Sequence, residues 1–152
     1  PYRRQRQMCI RDRFYITGEL SFFYDMNSLC IRHLSKKSRF MLINNQGGAV
    51  MYDRPRNTAT TDLPIYLAAG ENKVAKGWVE SLGFKYLTAT NKDEVDAGVK
   101  VLLDESIDTP VLLEVFTNLS EDRYCINDYV ASQDQRSFSE KVSGKLSRMF
   151  KK

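Results

Sequence analysis

Hydrophobic residues fall along this chain in short runs and stripes that alternate between two periods. Residues 14–17 are aromatic and β-branched and stop at Gly18, which predicts a strand. From Phe22 the apolar positions are 22, 26, 29, 30, 33 and 34, the spacing of one buried helical stripe. Ser21 stands where an N-cap belongs, and Asp25 suits the positive end of a first turn. Residues 40–43 (FMLI) form an unbroken apolar run, as in a parallel strand covered on both faces. It ends at Asn44-Asn45-Gln46-Gly47-Gly48, a composition suited to unusual backbone angles.

Residues 52–64 (YDRPRNTATTDLP) read as a loop. A helix is expected from about Asn72, with Val74, Trp78, Val79 and Leu82 inward and Gly83 as its stop. Residues 84–87 predict the next strand. A helix over 92–104 places Val95, Val99, Leu102 and Leu103 on one stripe. Pro110 opens a strand over 111–116. From about Ser120 the chain is polar, then weakly amphipathic through Val142, Leu146, Met149 and Phe150, which fits a docked C-terminal helix better than a membrane-surface one. Strands alternating with helices predict an α/β domain, a doubly wound and mainly parallel sheet with helices on both faces. The expected division is 1–13, then a domain over 14–119, then a helical tail over 120–152.

Composition agrees with one globular domain: 152 residues, 42% hydrophobic and 28% charged. No apolar run approaches the roughly 18 residues of a membrane span. The net charge of +4 is local. Residues 1–13 (PYRRQRQMCIRDR) hold five arginines and one aspartate; removing them from the 23 basic and 19 acidic residues leaves 18 of each. A broad basic face, the footprint of nucleic-acid binding, is therefore not expected. The arginine-rich start has no amphipathic period and resembles the translation of adapter or vector sequence, so it is expected to be non-native, with the native protein cut on that side. Cys9, Cys30 and Cys125 show no CxxC or metal-like spacing, which suits reduced thiols and a cytoplasmic protein.

A parallel sheet binds ligands beyond the carboxyl ends of its strands. Two such ends carry polar, glycine-containing turns: Gly18-Glu19-Leu20-Ser21 and Asn44-Asn45-Gln46-Gly47-Gly48. Glu19 offers a carboxylate, Asn45 an amide oxygen and Gly47 a backbone carbonyl, three hard donors of the kind Mg²⁺ takes. Mg²⁺ completes its shell with water and phosphate oxygens. A helix beginning near Ser21 would turn free N–H groups towards such a phosphate. Neither GxxxxGK[ST] nor GxGxxG is present. Taken singly, each turn has a plain structural reading, Glu19 as a first-turn helix charge and the asparagines as an ordinary turn; their pairing on two strand ends shifts the balance.

That pairing resembles the motif of the thiamine-diphosphate-dependent enzymes: GD, a helix and a strand, then NN. Within that family, ITGELSFFYDMNSL followed by LINNQGGAV is similar to the carboxy-terminal, diphosphate-binding domain of the menaquinone-pathway synthase, and the resemblance extends through the strand at 111–116. The resemblance implies Mg²⁺ on Glu19, Asn45 and the Gly47 carbonyl. It also implies thiamine diphosphate along Gly18, Leu20, Ser21 and Gly48, with Val50 and Met51 near the cofactor's rings. It implies a carboligase that decarboxylates a 2-oxo acid, 2-oxoglutarate in that branch, and transfers the resulting carbanion to an anionic acceptor such as isochorismate. The parent protein would be a homodimer or homotetramer, with no nucleic-acid or membrane partner. The family's activating glutamate lies on a separate domain, so no catalytic residue is expected here and this chain alone is expected to be inactive.

One position departs from the pattern. The family has Asp where this chain has Glu19, and the extra methylene moves the carboxylate out by ~1.5 Å, one carbon–carbon bond. Two alternatives therefore stand beside the leading one: another thiamine-diphosphate 2-oxo acid decarboxylase or an acetolactate-synthase-like enzyme of surface-polysaccharide synthesis, and a non-catalytic α/β binding module. The remaining candidates have plain readings: His33 as a packed residue on the first helix, Trp78 as core or subunit contact, and Arg54 and Arg56 as loop charges.

Overall fold

A computed structural model describes residues 13–48 and 72–133. The arginine-rich segment up to residue 12, the stretch 49–71 with Val50, Met51, Arg54 and Arg56, and residues beyond 133 lie outside the described residues. The elements are β1 (Arg13–Gly18), α1 (Glu19–Tyr24), a 3₁₀ turn (Met26–Cys30), β2 (Ser38–Asn44), α2 (Lys76–Ser81), β3 (Lys85–Ala89), α3 (Lys92–Leu102), β4 (Val111–Phe116) and α4 (Leu119–Gln133). The four strands form one sheet in the order β1-β2-β4-β3, and every pairing is parallel.

Burial follows strand position. The two inner strands are mostly apolar, broken in β4 by Glu114, and Val111 to Val115 are all buried, because helices cover both faces. One face packs Phe22, Leu29, Phe40, Leu42, Val79, Phe84 and Leu112 beneath α1, the 3₁₀ turn and α2. The other packs Ala89, Leu102, Val111, Leu113 and Val115 beneath α3. Gly98 lets α3 approach closely: a Cβ there would meet Leu113 Cδ1 at 2.7 Å. The doubly wound α/β reading is what the structure shows. The outer strand β1 exposes Phe14, Tyr15 and Ile16, although the Tyr15 ring still stacks on Phe40 at 4.8 Å.

Several local expectations are corrected. The first helix stops at Tyr24, with Asp25 as its C-cap rather than a first-turn charge. Asp25 N–H donates to the Phe22 carbonyl and Ser28 N–H to the Asp25 carbonyl, tightening the chain into the 3₁₀ turn. Asp25, Asn27 and Ser28 are residue types that favour turns over helix interiors, in keeping with the early stop. The stripe therefore ends at Leu29 and Leu34, and Cys30 and His33 are exposed. Ser21 is not a cap: Gly18 holds that position with no side-chain bond, and Ser21 is the exposed third residue of α1. The second helix begins at Lys76 rather than near Asn72, and Val74 is exposed. Leu103 caps α3 and is also exposed. Gly83 does end the α2 unit, in the left-handed region at φ 81°. Arg13 pairs with Ser38 as the first residue of β1, one position earlier than expected. The last described helix starts at Leu119, where Asn118 Oδ1 accepts from the N–H groups of Ser120 (2.9 Å) and Glu121 (3.3 Å).

Candidate functional site

A parallel sheet places all its carboxyl ends on one edge. Gly18 lies level with Ile43, Asn44 with Phe116, and Ala89 with Val115. The turns after β1 and β2 are therefore neighbours, and they touch. Glu19 is only 7% exposed, and its carboxylate lies close enough to its own backbone N–H and to those of Asn45 and Gly47 to feel their pull. Burial pushes the Glu19 carboxyl above its ordinary range; the three backbone N–H groups pull it back in part, and the Asp122 carboxylate nearby pushes it up further.

Both asparagines fold their own turn. Asn44 Oδ1 accepts from Gln46 N–H (3.1 Å), and Asn45 Oδ1 from Gly47 N–H (3.2 Å). These are successive Asx turns, and between them Gln46 takes a left-handed φ of 62°. Asn45 Nδ2 donates to Asp122 Oδ2 at 2.9 Å, and the Thr117 hydroxyl donates to the same oxygen at 2.7 Å. Thr117 N–H also reaches the Asn44 carbonyl at 3.0 Å. The start of α4 is thus fastened to the turn after β2.

The structure brings together Glu19, Asn45 and Gly47, the three residues that the sequence nominated around one ion. Leu20 and Ser21 lie in the first turn of α1, and Gly18 precedes it in an ordinary extended conformation. Among the described residues nothing lies within 4 Å of where a Gly18 side chain would begin. Gly48 is buried at the end of the described segment, and Val50 and Met51 fall outside it. Among the described residues no three His, Cys, Asp or Glu gather as a metal cluster. The donors at this edge are mixed instead: a buried carboxylate, a second carboxylate beside it, an amide and backbone carbonyls. Two carboxylates close together in a partly dry setting favour a cation, and all-oxygen donors suit a hard one.

Sequence reading missed two acidic residues. Asp122 gave no signal, because only the docking of α4 brings it to Asn45. Glu114 did give one: a lone charge inside the apolar run VLLEVF must find donors when buried. It is fully buried and accepts from Asn44 Nδ2 (2.6 Å), Ala75 N–H (3.0 Å) and the Tyr86 hydroxyl (2.7 Å). Burial, reinforced by that hydrogen bond, pushes the Tyr86 phenol well above its usual range.

These features define the class: a doubly wound parallel α/β domain with two polar turns meeting over the carboxyl edge of its sheet. Comparison with known proteins narrows it. The chain is 35% identical over 117 residues to the 2-succinyl-5-enolpyruvyl-6-hydroxy-3-cyclohexene-1-carboxylate synthase of Bacteroides fragilis, covering 76% of this chain and 21% of that protein. It is 34% identical over 124 residues to the synthase of the same name from Bacteroides thetaiotaomicron, 81% of this chain and 22% of that one. The Phocaeicola vulgatus synthase matches at 34% over 117 residues, 76% of this chain and 21% of its own. No family model matches the chain. The chain belongs to the family of these synthases, the thiamine-diphosphate-dependent group to which its two motifs pointed, and it spans about a fifth of the length of the relatives it matches.

Proposed function

We propose that this domain is the Mg²⁺- and diphosphate-holding part of a thiamine-diphosphate-dependent carboligase. The observation that carries the reading is the buried Glu19 carboxylate at the end of β1 lying beside the backbone of Asn45 and Gly47 at the end of β2. Two turns separated by a helix and a strand meet at one point, and their donors are those a hard cation takes. On this reading Glu19, the Asn45 amide oxygen and the Gly47 carbonyl hold Mg²⁺. Gly18, Leu20, Ser21 and Gly48 lie along the diphosphate, and Val50 and Met51 lie near the rings. When bound, thiamine diphosphate supplies the electron sink for decarboxylating a 2-oxo acid.

The chain's own residues bind and orient. Glu19 meets the charge of the cation from a buried position, where a carboxylate without a counter-charge is costly. Asp122 holds the amino end of the Asn45 amide and so decides where its oxygen points. In the parent protein the donor would be 2-oxoglutarate and the acceptor isochorismate, the substrates that the family resemblance implies. The parent would work as a homodimer or homotetramer in the cytoplasm. Among the described residues no helix is long and apolar enough to cross a membrane.

Calorimetric titration of the 152-residue chain with thiamine diphosphate in the presence of Mg²⁺ tests the reading. Binding is expected to require Mg²⁺, and Glu19→Ala is expected to weaken it at least about 100-fold, ~2.8 kcal/mol on the affinity scale. No heat at millimolar cofactor would favour a non-catalytic α/β binding module. Within the enzyme class, activity of the parent with 2-oxo acids other than 2-oxoglutarate would favour an acetolactate-synthase-like enzyme.

A further inference from the structure

We infer that Glu114 is a positioning residue for the cation site: acting through Asn44, it sets the shape of the turn that carries Asn45 and Gly47. The inference rests on reading that turn as a cation site. Glu114 sits mid-strand in β4, fully buried beside strand neighbours that are mostly aliphatic. Packing alone would be served by a leucine, since a buried carboxylate costs stability unless donors surround it. Its two oxygens do different work. Oε2 accepts from Ala75 N–H at the start of α2 and from the Tyr86 hydroxyl on β3. Oε1 accepts from Asn44 Nδ2 at 2.6 Å.

That second contact decides which way the Asn44 amide faces. Nδ2 donates both to Glu114 and to the Lys73 carbonyl at 2.8 Å. A carboxylate and a carbonyl only accept, so the amino group must point at them and Oδ1 must point into the turn. There Oδ1 accepts from Gln46 N–H, in a residue whose left-handed φ of 62° is disfavoured for a side chain of its type. The next N–H along the turn, that of Gly47, is the one that reaches Asn45 Oδ1, with the Glu19 carboxylate close by. A reversed Asn44 amide would set its NH₂ against the Gln46 N–H and release the turn. Control therefore runs from Glu114 to Asn44, to Gln46, and on to the proposed ligands, while the Ala75 and Tyr86 contacts serve stability alone.

The two roles separate experimentally in the 152-residue chain. Amide hydrogen exchange at Gln46 and Gly47, read by NMR without cofactor, reports the turn. The Mg²⁺ concentration for half-maximal thiamine diphosphate binding reports the site, and the melting temperature reports stability. Tyr86→Phe is expected to lower the melting temperature and leave the first two unchanged. Glu114→Gln turns an amino group either towards Asn44 Nδ2 or towards Ala75 N–H and the Tyr86 hydroxyl. It is expected to speed exchange at both amides about tenfold or more and to raise the Mg²⁺ requirement about 10- to 100-fold, as loss of an outer-layer partner of a metal ligand does. Asn44→Ala cuts the same link from the other end and leaves Glu114 two of its donors. It should give the same signature, and it serves as the test should Glu114→Gln fail to fold. Unchanged exchange and an unchanged Mg²⁺ requirement in either folded variant would overturn the inference. Faster exchange in the variants, with no cofactor binding by the parent chain, would instead sink the cation reading and leave control of the turn standing.

Discussion

The turns after β2 and β3 occupy the same edge of one sheet and are both rich in polar side chains, yet they are built to opposite ends. After β3, Asn91 Oδ1 caps α3 by accepting from Glu94 N–H (3.0 Å), and Glu94 accepts from the Thr90 N–H (2.7 Å) and hydroxyl (2.9 Å). Donors and acceptors here come from five consecutive residues and satisfy one another in an exposed setting. The hydrogen bonds from Thr90 hold the Glu94 carboxyl below its ordinary range. After β2, the partners come from α1, α4, β4 and the segment before α2. The Glu19 carboxyl there is shifted up by burial despite three nearby N–H groups. A polar turn that closes on itself is a cap; one that draws buried acids from distant elements has a remaining demand for positive charge. Ligand capacity at a parallel-sheet edge follows from that imbalance rather than from polarity.

The contrast can be broken at its strongest point first. Asp122→Ala removes the acceptor of Asn45 Nδ2 and frees the amide to rotate, so the Mg²⁺ requirement for cofactor binding should rise about 10-fold, with little change in fold. An unaltered requirement would show that α4 is a bystander. At the other turn, Asn91→Ala should cost about 1 kcal/mol of stability in thermal or urea unfolding, the usual loss of a helix cap, and leave Mg²⁺ dependence untouched. A change in that dependence would erase the distinction between the two turns.

The smallest effect sharpens the comparison through pH. Because the folded-state pKa of Glu19 lies above the unfolded value near 4.5, the metal-free fold favours the protonated form more than the unfolded chain does. Its stabilising contribution is complete below that value and is lost as pH rises through the folded pKa. Glu19→Gln, which mimics the protonated carboxyl, should therefore be more stable than the parent chain near neutral pH without metal. The gain should vanish in acid and reverse when Mg²⁺ and thiamine diphosphate are added. Unfolding curves across pH, with and without the ligands, check all three signs.

Much of this molecule was legible from residue order because its signals are local. The run VLLEVF, bounded by Pro110 and Thr117, is β4 residue for residue. Gly83 marks the end of α2, since only glycine enters its left-handed turn without strain. The pairing of GELS with NNQGG nominated Glu19, Asn45 and Gly47, and those three meet. The first helix was misread because apolar spacing continued past Tyr24. Backbone bonds from Asp25 N–H to Phe22 and from Ser28 N–H to Asp25 tighten the chain there, and the same apolar residues pack from a 3₁₀ turn instead. Leu103 failed for a similar reason, as it falls just beyond the last α3 turn.

What residue order determined, then, was periodicity and turn chemistry: which segments extend, which coil, and which two turns carry oxygen donors. Tertiary structure alone decided the strand order β1-β2-β4-β3, and with it the neighbours of the β2 turn. It placed Asp122 on Asn45 across 77 positions and Glu114 on Asn44 across 70. Hydrogen bonds of that kind form only after the sheet is assembled, because the apolar burial that brings β2 beside β4 owes nothing to the polar side chains that then find each other at its edge.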